Sequence, residues 1–92
     1  MKTCNHLLVQ MSQLEQDEVY LYYAKRGEVD HLIRMLIQLS ERGLVSVNSK
    51  SWAWGGDEDL LPIDVVASGI YLTSAGRKEA ERLIKEMALS SV

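Results

Sequence analysis

Cys4, His6 and His31 are the soft metal ligands of this sequence. Cys4 and His6 stand two apart and do not share a helix face, and His31 alone does not complete a zinc set. Asp57, Glu58 and Asp59 are consecutive, without the alternation of a calcium loop. Neither a glycine-rich phosphate loop nor a Ser or Cys nucleophile spaced from a base is visible. No enzyme, metal or cofactor is expected. What remains is binding chemistry. Trp52 and Trp54 beside the acidic run 57–59 have the makings of an aromatic centre with a charged rim, as in a protein interface. The same pair also suits packing over an open sheet face, sealing a homodimer or stacking on nucleobases.

A chain of 92 residues has room for one domain, read here as spanning residues 1–92. Its 47% hydrophobic content supports a real core, built without Phe from Leu, Ile, Val, Met, Ala and Tyr. A formal charge of -3 excludes both a strongly basic nucleic-acid coat and an acidic DNA mimic, so any nucleic-acid contact must come from a local patch. The acid is concentrated in the middle, where residues 44–73 carry one basic and four acidic side chains. A lone Cys4 closes no intramolecular disulfide and favours a reducing compartment. Thr3 to Leu14 is uncharged but polar-studded, neither a signal-peptide core nor a membrane span. A soluble, cytoplasmic protein is expected.

These groups must be positioned by a few elements. Leu7, Leu8, Met11 and Leu14, then Val19, Tyr22 and Tyr23, follow helical spacing, and Ser12 with Glu15 has the form of a capping box, predicting a break near Ser12. Lys25 and Arg26 before Gly27 suit a helix C-terminus. From Glu28 to Arg42, Val29, Leu32, Ile33, Leu36, Ile37 and Leu39 form an apolar stripe that Gly43 ends, with Asp30, His31, Arg34, Met35, Gln38 and Glu41 opposite. Leu44–Val47 reads as a strand, Trp52 and Trp54 share a face by the period of two, and Gly55-Gly56 reverses the chain before an exposed acidic tip. Leu60–Val66 and Ile70–Leu72 read as further strands. A last helix, capped by Thr73 or Ser74 and running to about residue 89, carries a stripe of Ala80, Leu83, Ile84, Met87 and Ala88. Gly76 in its first turn costs about 0.5 to 1 kcal/mol relative to Ala, and Arg77 and Lys78 sit near the positive end of its dipole. Either close packing of Gly76 on the sheet or a phosphate near Arg77 would compensate.

Leu39 to Val45 (Leu-Ser-Glu-Arg-Gly-Leu-Val) resembles the end of the third helix and the first wing strand of winged-helix DNA-binding domains of the MarR and PadR kind. Leu72 to Ile84, with its Leu-Thr-Ser-Ala-Gly-Arg run, resembles the strand and helix that follow the wing. The likeness covers roughly residues 15–87. It implies an α+β winged helix: three or four helices plus a two- or three-stranded antiparallel wing, with the recognition helix at about 28–42, the wing at about 44–73 and the C-terminal helix from 74. It further implies a DNA-binding transcriptional regulator, homodimeric because so small a domain covers only a short half-site. Arg34 and Gln38 would be base readers, since guanidinium forks onto guanine and carboxamide onto adenine, with His31 beside them. Lys25, Arg26, Arg42, Lys50 and Arg77 would contact phosphates.

The sequence departs from that pattern in the wing. Lys50 is its only cation, and Asp57, Glu58 and Asp59 at the tip would be repelled by phosphate. Tyr23 stands four before Gly27, where a compact helix-turn-helix has a small residue, which leaves the looser winged form. A second reading follows: a winged-helix scaffold that binds a protein through Trp52, Trp54 and the acidic tip, as an adaptor or an inhibitor of a larger machine.

Overall fold

The computed structural model describes residues 3–56 and 60–90, the last three without their side chains. The chain is α+β. Helices α1 (Cys4–Gln13), α2 (Gln16–Ala24) and α3 (Val29–Glu41) precede four short strands, β1 (Val45–Val47), β2 (Trp52–Ala53), β3 (Asp64–Val65) and β4 (Ile70–Leu72), and helix α4 (Ser74–Ser90) follows.

Each helix boundary has a local cause. Thr3 caps α1 by accepting the His6 N–H on its hydroxyl. The break before α2 falls at Leu14 and Glu15, two residues beyond the predicted one, and the Ser12–Glu15 capping box does not form. Ser12 instead donates its hydroxyl to the Val9 carbonyl within α1, and Glu15 caps α2 without a side-chain bond. Gly27 and Gly43 end α2 and α3 alike. Both adopt the left-handed conformation, at φ 68° and 75°, and the residue after each donates its N–H back to the helix, Glu28 to Tyr23 at 2.9 Å and Leu44 to Leu39 at 3.0 Å. Such closures satisfy carbonyls that a helix end otherwise orphans.

The core joins Leu7 and Leu8 of α1, Val19 and Tyr23 of α2, Leu32, Ile33, Leu36 and Leu39 of α3, and Ala80 and Leu83 of α4, closed by Val45, Val65 and Ile70 of the strands. Met35 belongs to it as well, at 3% exposure, and so leaves the outward face on which the sequence placed it. Part of that flank is occupied: the Cys4 thiol at the start of α1 donates to Gln38 Oε1 at 3.3 Å. Tyr23 is wholly buried and donates to Gln10 Oε1 at 2.6 Å. Burial pushes its phenol up to about 12, with the neighbouring Tyr22 and Glu28 adding to the shift. The folded value lies above the unfolded one, so this stability is complete below pH 10 and is lost as pH rises from there towards about 12. Denaturant midpoints measured across that window are expected to fall by the equivalent of about 2 kcal/mol, and Tyr23→Phe should flatten the dependence.

The four strands form one long antiparallel ribbon in two pieces. Val45, Ser46 and Val47 face Leu72, Tyr71 and Ile70, and further out Trp52 and Ala53 face Val65 and Asp64. Between the pieces both arms turn through single 3-10 segments, Ser49–Ser51 and Ala67–Gly69. Gly69 permits their crossing: a Cβ there would lie 1.6 Å from Ser51 Oγ and 2.5 Å from Ser51 Cβ. The strand read over Leu60–Val66 is a regular strand only at Asp64–Val65, flanked by single bonds from Ile63 to the Ala53 carbonyl and from Val66 to the Ser51 carbonyl; Pro62 has no N–H to give a ladder, and Leu60, Leu61 and Ile63 lie in bends. The tip Asp57–Asp59 lies outside the described residues.

Candidate nucleic-acid interface

Helices α2 and α3 follow one another across the Gly27 turn, and α3 is held from behind. Leu32, Leu36 and Leu39 are fully buried. The ribbon is tied to α2 at two points: Gln16 Nε2 donates to the Ile70 carbonyl, and Tyr20 donates its hydroxyl to Asp64 Oδ1 at 2.8 Å. That bond to a carboxylate holds the Tyr20 phenol above its ordinary value. The sequence pattern missed both ties, because residues 44 and 54 positions apart carry no periodic signal.

Held this way, α3 turns Asp30, Arg34, Gln38 and Glu41 outward, while Ile37 is half-buried. Among the described residues the ion pairs are those of Arg82 with Glu79 and Glu86, so Arg34 enters none. Gln38 is exposed, and with its oxygen engaged by Cys4 the amide N–H groups are the donors it has to offer. His31 is half-buried.

The cations divide among several surfaces. Lys25 is exposed at the end of α2. Arg26 is exposed but folded back, its Nη1 donating to the Tyr22 carbonyl at 2.7 Å and its guanidinium 3.7 Å from the Tyr22 ring centroid. Arg42 caps the end of α3. Its charge reaches Glu79, whose carboxyl is held below the ordinary range, first by the hydrogen bond from Arg82. Lys50 is exposed on the first 3-10 turn, where Asn48 accepts its backbone N–H at 3.0 Å.

No family model, curated protein or solved structure matches this chain.

Arg77 stands apart from Arg34. It lines a cleft of about 220 Å3 with Leu14, Gln16, Leu32, Leu36 and Tyr71. Leu32 and Leu36 lie two positions either side of Arg34, about 200° round the helix, so the cleft opens away from the Arg34 face. Gly76, beside it, is packed against the sheet: Thr73 caps α4 by accepting the Gly76 N–H at 3.0 Å and itself donates to the Gly43 carbonyl at 2.7 Å. Close packing, one of the two compensations weighed for Gly76, is present.

Trp52 and Trp54 also part company. Trp52 is half-buried against the core opposite Val65, whereas Trp54 is 54% exposed. Beyond Asp64 and Val65, Leu60, Leu61 and Ile63 are exposed too, Leu60 at 95%, as is Val66 on the body side of them. Reading residues 60–66 as a strand hid this: a paired strand would have buried alternate members of the run. Among the described residues no three His, Cys, Asp or Glu side chains converge as metal ligands, and no helix is long and apolar enough to cross a membrane.

Proposed function

We propose that this is a winged-helix protein that binds duplex DNA through α3 and acts in the cytoplasm as a transcriptional regulator. The observation that supports it best is Arg34: exposed, outside any ion pair among the described residues, and midway along a helix whose opposite side is anchored in the core. A helix so held enters a major groove as a rigid body, and a guanidinium at its centre reaches base edges. Lys25, Arg42 and Lys50 flank it as phosphate contacts, and a second copy on the neighbouring half-site doubles the footprint.

The test is a fluorescence-anisotropy titration of random duplex at several salt concentrations. Three or four neutralised phosphates give a log-log salt slope of about -3, a loss of roughly a hundredfold between 50 and 200 mM. A duplex not retained even at the lowest salt removes the proposal.

The exposed apolar residues Trp54, Leu60, Leu61 and Ile63 favour a second reading, the same scaffold docking a protein through its wing. Under it, Trp54→Ala abolishes binding of that partner while Arg34→Glu leaves it intact. Trp54 is the clean probe, since Trp52 also packs on the core.

A further inference from the structure

Asp30 and Arg34 are one helical turn apart on α3, opposite in charge and exposed, and no ion pair joins them to each other or to any other described residue. They stand with Ile33 on one wall of a cleft of about 400 Å3, whose other wall is the ribbon arm Leu60–Ile63. The regular pairing of the outer ribbon stops just short of that arm. Trp52 and Val65 face the core; one step further out Ile63 donates its N–H to the Ala53 carbonyl at 2.8 Å, so that Ile63 and Asp64 both lie opposite Ala53 where the ladder ends. Trp54 and Ile63 are 54% and 57% exposed, so this end of the ribbon carries apolar side chains that the described residues leave uncovered.

We infer that this cleft seats a second copy of the chain, related by a two-fold axis that sets Asp30 of each protomer against Arg34 of the other. The charge pattern is what selects a twin. Two opposite charges one turn apart on an exposed helix face are self-complementary when the same face meets itself antiparallel, and a two-fold contact requires that self-complementarity. Trp54, Leu61 and Ile63 of each ribbon then cover the apolar margin of the other copy. Such a contact closes on itself and stops at two. It also covers Arg34, so, given the DNA-binding reading above, the free dimer and the DNA-bound chain exclude each other.

Light-scattering mass across a concentration series, with no nucleic acid present, tests this. The chain is expected to rise from 10.4 kDa to twice that value and no further. Arg34→Asp sets Asp30 against a like charge and is expected to raise the dimer dissociation constant roughly ten- to a hundredfold. The swap Asp30→Arg with Arg34→Asp restores the pairing and the dimer. Matching far-UV circular dichroism shows that all three fold. A wild-type chain that stays monomeric, a mass that grows past two, an Arg34→Asp chain that dimerises like wild type, or a swap that stays monomeric each overturns the inference. Because no duplex is present, failure here is separate from failure of DNA binding.

Discussion

Gly76→Ala is expected to destabilise the protein by about 3 kcal/mol, lowering its melting temperature by more than about 10 °C. Helix propensity argues the other way, favouring Ala over Gly by about 1 kcal/mol. Geometry decides the sign. A Cβ on Gly76 would fall 1.8 Å from the Leu44 carbonyl oxygen, 2.8 Å from its carbon and 2.9 Å from Leu72 Cδ1. The first two are backbone atoms, which cannot swing aside as a flexible side chain can. That carbonyl also accepts the Thr73 N–H at 3.2 Å, so moving it pulls on the residue that caps α4. Gly56→Ala is the control, since nothing lies within 4 Å of its added Cβ. Urea unfolding of the two variants separates them. A Gly76→Ala chain as stable as wild type would mean that α4 does not sit on the ribbon as described.

Arg34→Glu is expected to lower affinity for random duplex by roughly a hundredfold or more at low salt and to reduce the salt slope by at least about 1. Random duplex offers no fixed base to fork onto, so the loss comes from exchanging a cation beside the phosphates for an anion that they repel. Stability should move by no more than about 0.5 kcal/mol, because the side chain is exposed and enters no ion pair among the described residues. Arg77→Glu should leave binding nearly unchanged, since that residue borders a cleft on the other side of α3. Anisotropy titrations of both variants, with denaturation curves to confirm the fold, give the comparison. Equal losses for Arg34→Glu and Arg77→Glu would show that only net charge matters.

What was legible in the sequence was what local rules determine. Gly27 and Gly43 mark helix ends because each supplies a left-handed residue that a single chain segment requires. Thr73 is a cap by the same kind of rule, and α3 could be placed from its spacing. The misses are mostly non-local. Met35 has the periodicity of an edge position, and only the arrival of neighbouring elements buries it. Ser12 and Glu15 satisfy the spacing of a capping box, yet Ser12 bonds within α1 because the chain turns two residues later. Leu60–Val66 has strand composition, but pairing depends on a partner arm that crosses at Gly69 and Ser51. In the candidate interface, Arg34 stands outward as read, whereas the separation of Arg77 from it and the exposure of Ile63 and Leu61 follow from how the ribbon docks.

The outward face of α3 is proposed as the surface that meets duplex DNA. Backbone amide chemical shifts followed while a short random duplex is added at low salt address it residue by residue. The expected result is a contiguous set of changes at Asp30, Arg34 and Gln38, extending to Lys25 and Lys50, that fades as salt is raised. Changes confined to Trp54 and the arm 60–63, or to the cleft beside Arg77 with α3 silent, would contradict it.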